Sequence, residues 1–362
     1  MGIEERAGAW RLLGQTLESG WVILEPVGWD PRSGDSIDHY NGTGGNFSVP
    51  YVVEKNGRRA FLKAIDLTRA MTAVDVLAEL QMISAAHTFE ASVLKICADS
   101  SMDRVVVAID SGQISVGPNL QDKAPYLIFE LADGDVRRRI QKKSGKVRLA
   151  WWLRAMHHAT VGLSQLHKRG ITHQDLKPSN LLSFGGDEVF KVSDLGRCTW
   201  EGHPSPHELL PFAGDQKYAP PEILYGYINP QAQDRRLRCD LWMLGSMIFF
   251  FVRGFGTTQL LLNELQVPQK PVLFGGAWNG GYRPIVPLLQ TCFSKLLLDL
   301  EFDLRDSPVS RELVKAASEL CNPDHELRGH PLMRAGSRNS HSLERYVSLF
   351  DRLSKVAAQN RS

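Results

Sequence analysis

The eight-residue segment His173–Asn180 carries a carboxylate, a cation and an amide at close spacing. Asp175 is followed two residues later by Lys177 and five residues later by Asn180. A second carboxylate, Asp194, stands fourteen residues beyond Asn180, after a strand-like run. A carboxylate and an amide are hard oxygen ligands of the kind that Mg²⁺ prefers. A further carboxylate could accept the proton of an attacking hydroxyl, and a lysine could neutralise a transferring phosphoryl group, so the set suits phosphoryl transfer.

Hydrophobic spacing predicts a strand-rich first third and a mainly helical remainder. The predicted strands are Trp21–Leu24, Val49–Glu54, Ala60–Ile65, Val105–Ile109 and Tyr126–Phe129. A helix is predicted at Thr72–Ala86, where apolar residues recur at spacings of three and four. Later helices are predicted at Leu149–His167, Leu241–Phe251, Ile285–Leu300 and Arg311–Leu320, with strand-like pieces at Leu181–Leu182 and Phe190–Val192. Strands with a single helix indicate a small sheet-based lobe, and the remainder indicates a larger helical one.

The segment His173–Asn180 resembles the catalytic loop HRDLKxxN of the eukaryotic-like (Hanks-type) serine/threonine protein kinase family, with Gln174 in place of the arginine. Asp194, Leu195 and Gly196 resemble the DFG motif of that family, with leucine in place of phenylalanine. A lone HxD pattern carries no information, but the longer match followed by this second motif is specific. The resemblance implies the α+β, two-lobed protein kinase fold, with a small antiparallel-sheet N-lobe containing one helix and a larger, mainly helical C-lobe.

The resemblance also assigns roles to the residues that could do chemistry. It implies that Asp175 is the catalytic base for the substrate hydroxyl and that Lys177 lies near the γ-phosphate of ATP. It implies that Asn180 and Asp194 hold Mg²⁺. A lysine at position 177 is the type found in Ser/Thr-specific members, so the implied partner is a protein substrate with a Ser or Thr acceptor.

Lys63 lies in the segment Phe61–Ala64, which is on a predicted strand and resembles the VAIK motif of the family. Glu79 follows sixteen residues later on the predicted helix. The resemblance implies a Lys63–Glu79 ion pair that holds the lysine on the α- and β-phosphates. Glu90 is the less favoured partner because it follows the helical pattern.

The segment Tyr126–Ala132 resembles the fifth strand and the hinge of the family. The resemblance implies that Phe129 is the gatekeeper and that the backbone of Glu130 and Ala132 binds the adenine edge. Asp135 has two interpretations, which are contact with the ribose and capping of the next helix.

A glycine-rich segment, 41–48, corresponds to the phosphate-binding loop of the family. The implied nucleotide-binding residues here are Gly44, Gly45, Phe47 and Ser48, with Ser48 in the place of the third glycine. Glycines let backbone N–H groups approach phosphate closely. A plain hairpin turn has a similar sequence, so this segment by itself is weak evidence.

Three further motifs resemble the part of a protein kinase that supports the substrate. The segment Gly214–Glu222 resembles GTxxYxAPE with Asp215 in place of the threonine, and Asp240 begins a segment that resembles the DxWxxG helix opening. Arg328 matches the late arginine that pairs with Glu222. Small-molecule kinases share the HxDxxxxN pattern but generally lack these motifs, so they are the weaker alternative.

Two substitutions within these motifs leave another alternative open. Gln174 cannot form the charge-assisted bidentate contact that the usual arginine makes with a phosphate on the activation segment. We therefore predict that activity does not require phosphorylation of that segment, although Thr199 and Ser205 lie in it. Asp215 can accept a hydrogen bond from the catalytic lysine but would repel the catalytic aspartate, which puts substrate positioning in question. An ATP-binding pseudokinase that acts as a scaffold or regulator is the alternative to an active enzyme.

The composition of the 362-residue chain is that of an ordinary globular protein. Lys and Arg number 42 and Asp and Glu number 40, and the net charge of +2 gives no case for nucleic-acid or membrane binding. The most apolar stretch, Leu241–Val252, is twelve residues long and too short to span a bilayer. No targeting segment is recognisable and the five cysteines are widely spaced, so we expect a cytoplasmic protein.

Seven basic residues and no acidic one lie in the stretch Arg137–Arg148. A solvated helix end with a loop is one interpretation of this stretch, and a docking patch for an acidic substrate segment or nucleic acid is the other. The stretch follows the predicted hinge, near where a peptide substrate would lie.

The motifs divide the chain into four parts. We predict an N-terminal extension at residues 1–20, an N-lobe at 21–130, a C-lobe at 131–331 and a C-terminal helical tail at 332–362. In the tail, apolar residues from Leu343 to Val356 share one helical face, which favours docking on its own domain over binding a separate partner.

Overall fold

The computed structural model describes residues 8–28, 48–335 and 340–359. The chain forms two compact units. The first comprises the chain up to Ser101 together with Val106–Ala132, and the second comprises Met102–Val105 and the chain from Asp133 onward. The division after position 132 lies two residues beyond the boundary expected from the sequence.

A five-stranded antiparallel sheet forms most of the first unit. Its strands are β1 (Val22–Pro26), β2 (Ser48–Lys55), β3 (Arg58–Ile65), β4 (Ala108–Ser115) and β5 (Lys123–Glu130), in the spatial order β1-β2-β3-β5-β4. Asn56 and Gly57 connect β2 to β3 with φ angles of 51° and 74°, the left-handed backbone that a tight hairpin requires. The unit also holds α1 (Thr68–Met71) and the long α2 (Val76–Asp99). The predicted antiparallel sheet with one main helix is confirmed.

Helix α2 starts later and ends later than its pattern predicts. Asp75 caps it, with a side chain that accepts the N–H of Ala78 at 2.9 Å. The helix then continues thirteen residues past the predicted end at Ala86, to Asp99. The buried residues of this second half are Phe89, Glu90, Val93, Leu94 and Cys97.

The described residues before Trp21 contribute to the core of the first unit. Ala9, Leu12 and Leu17 are buried in the same apolar cluster as the inward-facing residues of the sheet. The Tyr51 hydroxyl donates a 2.8 Å hydrogen bond to the carbonyl of Ala9. The part of the expected extension that the structure describes is therefore packed, because its apolar side chains cover one face of the sheet.

The segment Met102–Val105 lies in the second unit, whereas α2 before it and β4 after it belong to the first. Val105 forms a parallel bridge with Val192, and the carbonyl of Arg104 accepts the N–H of the same valine at 2.9 Å. The strand predicted to begin at Val105 instead begins at Ala108, as β4.

The second unit is mainly helical. Its helices are α3 (Val136–Arg139), α4 (Gly145–His167), α5 (Pro221–Leu224), α6 (Ala232–Arg253), α7 (Thr257–Asn263), α8 (Val286–Asp303), α9 (Ser310–Leu320), α10 (Pro331–Arg334) and α11 (Glu344–Gln359). Its short strands are β6 (Gly134–Asp135), β7 (Ile171–Thr172), β8 (Leu181–Phe184), β9 (Val189–Val192) and β10 (Thr199–Trp200). Strands β6, β8 and β9 form one small sheet, and β7 pairs with β10. The predicted larger helical lobe is confirmed.

Helix α6 is the central element of the core of the second unit. Its residues from Cys239 to Phe251 are all buried, which explains why this stretch is so apolar. Helices α4 and α9 pack against it. Within the described ranges, no single helix is long and apolar enough to cross a bilayer, and α6 and α7 meet those criteria only as a pair bent by 71°.

Helix α11 packs along α4 in the same unit. Tyr346, Phe350, Leu353 and Ala357 lie on one face of α11 and are buried, since spacings of three and four return to the same side of a helix. The Tyr346 hydroxyl also donates to Glu319 Oε2 at 2.9 Å. The tail helix therefore docks on its own domain, as its pattern favours.

Candidate active site

One buried carboxylate fastens the predicted catalytic loop to α6. The loop begins where β7 ends, and the backbone N–H groups of His173 and Gln174 donate to Asp240 Oδ2 and Oδ1, each at 2.8 Å. His167, at the end of α4, brings its Nε2 within 2.8 Å of Asp240 Oδ2. Asp240 is completely buried, so an unmade bond here would leave a desolvated charge unsatisfied. The backbone at the start of the loop is held in one place for this reason.

Gln174, which stands in the place of the family's arginine, directs its side chain into the protein. Its Nε2 donates to the carbonyl of Arg236 at 2.9 Å and to Asp240 Oδ1 at 3.3 Å. The residue is only 2% exposed. Its φ of 65° lies in the left-handed region that residues other than glycine seldom adopt. The amide therefore ties the loop to the first turns of α6.

Donors hold both oxygens of the Asp175 carboxylate. Oδ1 accepts the backbone N–H of Asp215 at 2.8 Å. Oδ2 accepts Lys177 Nζ at 3.0 Å and Asn180 Nδ2 at 3.2 Å. His173 fixes the backbone, because its Nδ1 accepts the N–H of Asp175 at 3.1 Å. These contacts hold the carboxylate in one orientation, and a carboxylate can accept a proton from a hydroxyl that comes within hydrogen-bond distance.

Lys177 lies between two carboxylates and relieves the repulsion expected at Asp215. Its Nζ is 3.0 Å from Asp175 Oδ2 and 3.8 Å from Asp215 Oδ2. The other oxygen of Asp215 accepts the N–H of Lys217 at 3.0 Å. Gly214, the residue before Asp215, lets the backbone here lie against the catalytic loop. A Cβ at this position would lie 2.1 Å from a carbonyl oxygen of that loop. The cation between them lets the two carboxylates share one small region.

Ser193 brings the two predicted magnesium ligands together. It donates its N–H at 2.9 Å and its hydroxyl at 3.1 Å to the carbonyl of Asn180, and Asp194 is the next residue. Asn180 Nδ2 donates to the carbonyl of Asp175 at 2.8 Å, so its Oδ1 points away from that bond. Asp194 is exposed and has a φ of 62°. An amide oxygen and an exposed carboxylate fit the oxygen ligands that Mg²⁺ prefers.

In the first unit Lys63 pairs with Glu90, and the predicted pair with Glu79 is wrong. Lys63 Nζ lies 2.9 Å and 3.1 Å from the two carboxylate oxygens of Glu90, which is 5% exposed. Glu79 lies eleven residues, or about three helical turns, nearer the start of α2. The prediction ended the helix at Ala86, whereas α2 continues to Asp99 and therefore places Glu90 in its interior.

Residues 41–264 match the protein kinase domain. This match covers more than half of the chain and includes the catalytic loop, Asp194, Lys63 and Glu90. The chain belongs to the protein kinase family. Members of this family in general use ATP and a divalent metal.

Curated relatives of this kinase are protein kinases of several kinds. Cell division control protein 2 homolog 3 of Trypanosoma brucei brucei is 28% identical over 217 residues, which are 53% of this chain and 66% of that protein. MAP kinase-interacting serine/threonine-protein kinase 2 of Xenopus laevis is 31% identical over 141 residues, 36% of this chain and 29% of that protein. Aurora kinase of Schizosaccharomyces pombe is 31% identical over 136 residues, 37% of this chain and 35% of that protein. In each case the match spans less than two thirds of the relative.

The predicted ion pair between Glu222 and Arg328 is present in the kinase and is buried. Arg328 Nη1 and Nη2 lie 2.6 Å and 2.8 Å from the two carboxylate oxygens of Glu222. The guanidinium also donates to the carbonyl of Asn322 at 3.2 Å and lies 5.0 Å from the ring centroid of Trp242. This bidentate pair attaches the end of the activation segment to α6 and to the turn before α10.

The predicted nucleotide-binding residues are only partly described. Phe129 and Glu130 end strand β5, where Phe129 pairs with Phe61 of β3 at a ring-centroid distance of 6.3 Å. Ser48 begins β2, and Ala132 is the last residue of the first unit. Three more of the predicted residues lie outside the described residues: Gly44, Gly45 and Phe47. The contacts of this set with adenine and phosphate stay predictions.

Asp135 caps helix α3. Its side chain accepts the N–H of Arg138 at 3.0 Å. Capping, one of the two interpretations of this residue, is therefore present, and contact with a ribose stays a prediction.

The basic stretch is partly neutralised within the second unit. Arg139 Nη2 and Lys143 Nζ each lie 2.7 Å from Asp187 Oδ2. Burial raises the pKa of Asp187, but the hydrogen bonds from Arg139 and Lys143 outweigh burial and hold this pKa well below its usual value. Arg148 Nη2 donates to the carbonyl of Phe251 at 3.0 Å. At least these three of the basic residues have internal roles, so the stretch is not one continuous docking patch.

Sequence reasoning ranked Glu90 below Glu79 and missed His167 and Ser193, which also shape the site. Glu90 was within reach, because Phe89, Val93 and Leu94 resume the apolar helical pattern after a gap. His167 and Ser193 carried no such signal. His167 contacts the carboxylate of Asp240, and Ser193 donates to the carbonyl of Asn180. Both partners are distant in sequence, so only the tertiary structure shows these contacts.

Proposed function

We propose that this kinase transfers the γ-phosphate of ATP to Ser or Thr hydroxyls of proteins, with Asp175 as the catalytic base. The observation that carries the proposal is the Asp175 carboxylate, oriented by Lys177, by Asn180 and by the N–H of Asp215. A lysine two residues after the base, and relatives named as serine/threonine kinases, support Ser and Thr as acceptors.

Residues of the second unit supply separate parts of the proposed reaction. Asp175 accepts the proton of the substrate hydroxyl. The hydroxyl oxygen forms a bond to the γ-phosphorus, and the bond from that phosphorus to the ADP oxygen breaks. Lys177 offsets the negative charge of the transferring group. Asn180 and Asp194 would hold magnesium, which when bound neutralises charge on the phosphate oxygens.

Residues of the first unit are proposed to position the nucleotide. Lys63, held by the two oxygens of Glu90, supplies a cation for the α- and β-phosphates. A lysine that is fixed in advance loses less conformational freedom when it binds phosphate than a free side chain does. Positioning and charge stabilisation account for most of the catalysis in this class of reaction.

We further propose that activity does not depend on phosphorylation of the activation segment. Thr199 is 2% exposed, and its hydroxyl shares a 2.6 Å hydrogen bond with the hydroxyl of Thr172. The Ser205 hydroxyl donates to the carbonyl of Cys198 at 3.3 Å. Gln174 directs its amide inward and carries no charge for a phosphate. These three observations support a segment that holds its position without a phosphate.

The alternative is an ATP-binding pseudokinase that acts as a scaffold or regulator. Gln174, Asp215 and the irregular glycine-rich segment 41–48 depart from the family's motifs, and these departures favour it. Against it, the N–H of Asp215 supports Asp175, and Lys177 lies between the two carboxylates. The active enzyme is therefore the better supported of the two.

A phosphotransfer assay separates the two functions. Purified protein is given radiolabelled ATP, Mg²⁺ and a generic protein acceptor, and phosphorylated residues are mapped by mass spectrometry. We expect phosphoserine and phosphothreonine from the wild type and from Lys95→Met, which alters an exposed lysine of α2, and a loss of both from Lys63→Met. Bound ATP with no incorporated label would favour the scaffold. Label on small hydroxyl compounds alone would favour a small-molecule kinase.

A further inference from the structure

Helix α3 places two exposed arginines beside the catalytic loop. The helix packs against the turn Pro178–Asn180, which ends the segment that carries Asp175. The side chains of Arg137 and Arg138 are 56% and 67% exposed. Arg139 of the same helix turns inward to a buried carboxylate. The helix therefore uses one arginine for structure and presents the other two to solvent.

The charge of the two exposed arginines is only partly offset. Among the described residues, the carboxylate that pairs with them is Asp135, which lies 4.0 Å from Arg137 Nε and 3.7 Å from Arg138 Nε. One of its oxygens already accepts the backbone N–H that caps α3. One carboxylate shared by two guanidinium groups at these distances leaves most of their N–H donors to water.

A second observation connects Arg137 with the surface around the catalytic base. Burial, together with the charges of Asp215 and Asp175, raises the pKa of Tyr218 to about 12, and the charge of Arg137 opposes that shift. Tyr218 belongs to the segment that resembles the substrate-supporting motif. The field of Arg137 therefore reaches this segment, in which Lys217 is also exposed.

We propose that Arg137 and Arg138 select protein substrates that carry Asp or Glu near the acceptor Ser or Thr. A peptide whose hydroxyl reaches Asp175 lies next to α3 on one side, because α3 packs on the turn that ends the catalytic loop. Guanidinium groups bind carboxylates through paired N–H donors, and complementary charge also speeds the encounter. The inference rests on the proposed kinase activity and names its substrate class.

Three peptides of equal length test this selection. Each has one central Ser, flanked on both sides by Glu, by Gln or by Lys, and Gln matches Glu in size without its charge. At low salt we expect kcat/KM for the Glu peptide to exceed that for the Gln peptide by about threefold to tenfold, through a lower KM. The ratio should fall towards one at high salt, because the Debye length shrinks from about 10 Å at 0.1 M to about 3 Å at 1 M.

Paired variants locate the effect. Arg137→Gln with Arg138→Gln should remove most of the preference for the Glu peptide over the Gln peptide. Arg137→Glu with Arg138→Glu should reverse it in favour of the Lys peptide. The matched control is Arg311→Glu with Lys315→Glu on α9, which alters two exposed cations and the same net charge. This control should keep the wild-type ratio, and thermal unfolding checks that every variant is folded.

The outcomes separate this inference from the proposed function. Equal kcat/KM for the three peptides, or a preference that survives in the Arg137→Gln, Arg138→Gln variant, would overturn the substrate inference and leave the kinase activity standing. If neither the peptides nor the protein itself accepts phosphate while ATP still binds, the proposed function fails, and the inference fails with it.

Discussion

Among single residues, Glu90, the ionic partner of Lys63, offers the sharpest test of the site in the first unit. Glu90 contacts the lysine through both oxygens and is buried, so its replacement would remove both of these contacts. Breaking one side of such a pair costs about 3–5 kcal/mol when the pair is fully buried, and less here because Lys63 keeps some exposure. Each 1.4 kcal/mol lost from transition-state binding is about tenfold in rate.

We therefore expect Glu90→Gln to lower kcat/KM for ATP by about tenfold to a hundredfold. Glu79→Gln, on the same helix, is the matched control and should change that constant by less than about threefold. Steady-state kinetics with varied ATP measures both, with thermal unfolding as the check on folding. A larger loss in Glu79→Gln than in Glu90→Gln would show that the pair seen here is not the one used in catalysis.

At the scale of elements, two contacts position the catalytic loop and the activation segment of the second unit. Asp240 on α6 receives two backbone N–H groups of the loop, and β10 pairs with β7 directly before it. Thr199 and Thr172 stand opposite each other in this pairing. The first turn of the activation segment is thus fixed by strand pairing and side-chain hydrogen bonds, which are already made in the unphosphorylated chain.

From this geometry we expect Thr199→Val with Ser205→Ala to keep kinase activity within about threefold of the wild type. Valine matches threonine in shape but leaves the buried Thr172 hydroxyl without this partner, which costs about 1–3 kcal/mol in stability. Peptide phosphorylation by the unphosphorylated protein, verified by intact mass, is the measurement. Loss of activity in a variant that is still folded at the assay temperature would mean that a phosphate on this segment is required.

The whole molecule shows which sequence signals were sufficient. Long helices such as α4 and α6 follow from apolar periodicity, because a buried helix must repeat its apolar face every three or four residues. The catalytic loop and Glu222 were predicted from short motifs in which the spacing between the residues is fixed. The predicted fold class needed only these two kinds of signal.

The end of α2 shows how a gap in the apolar pattern leads to a helix that is predicted too short. Residues 84–88 read Ser, Ala, Ala, His, Thr, which interrupt the apolar repeat without breaking the helix. None of them is Gly or Pro, so the helix continues to Asp99 although the apolar repeat is interrupted.

Other features could not be predicted, because the contacts of Gln174 with α6 and the packing of Ala9 under the sheet depend on distant residues. Local periodicity carries no information about such contacts.

Phosphotransfer by the Asp175→Asn variant tests whether Asp175 is the catalytic base. Asparagine keeps the shape of the side chain but cannot accept the proton, and a general base contributes about a hundredfold to ten-thousandfold. We expect turnover to fall by at least about a hundredfold while the Kd for ATP, measured by calorimetry, stays within about threefold. Asp306→Asn, at an exposed aspartate of the second unit, should behave as the wild type. A folded Asp175→Asn protein that still phosphorylated peptides at the wild-type rate would contradict the account.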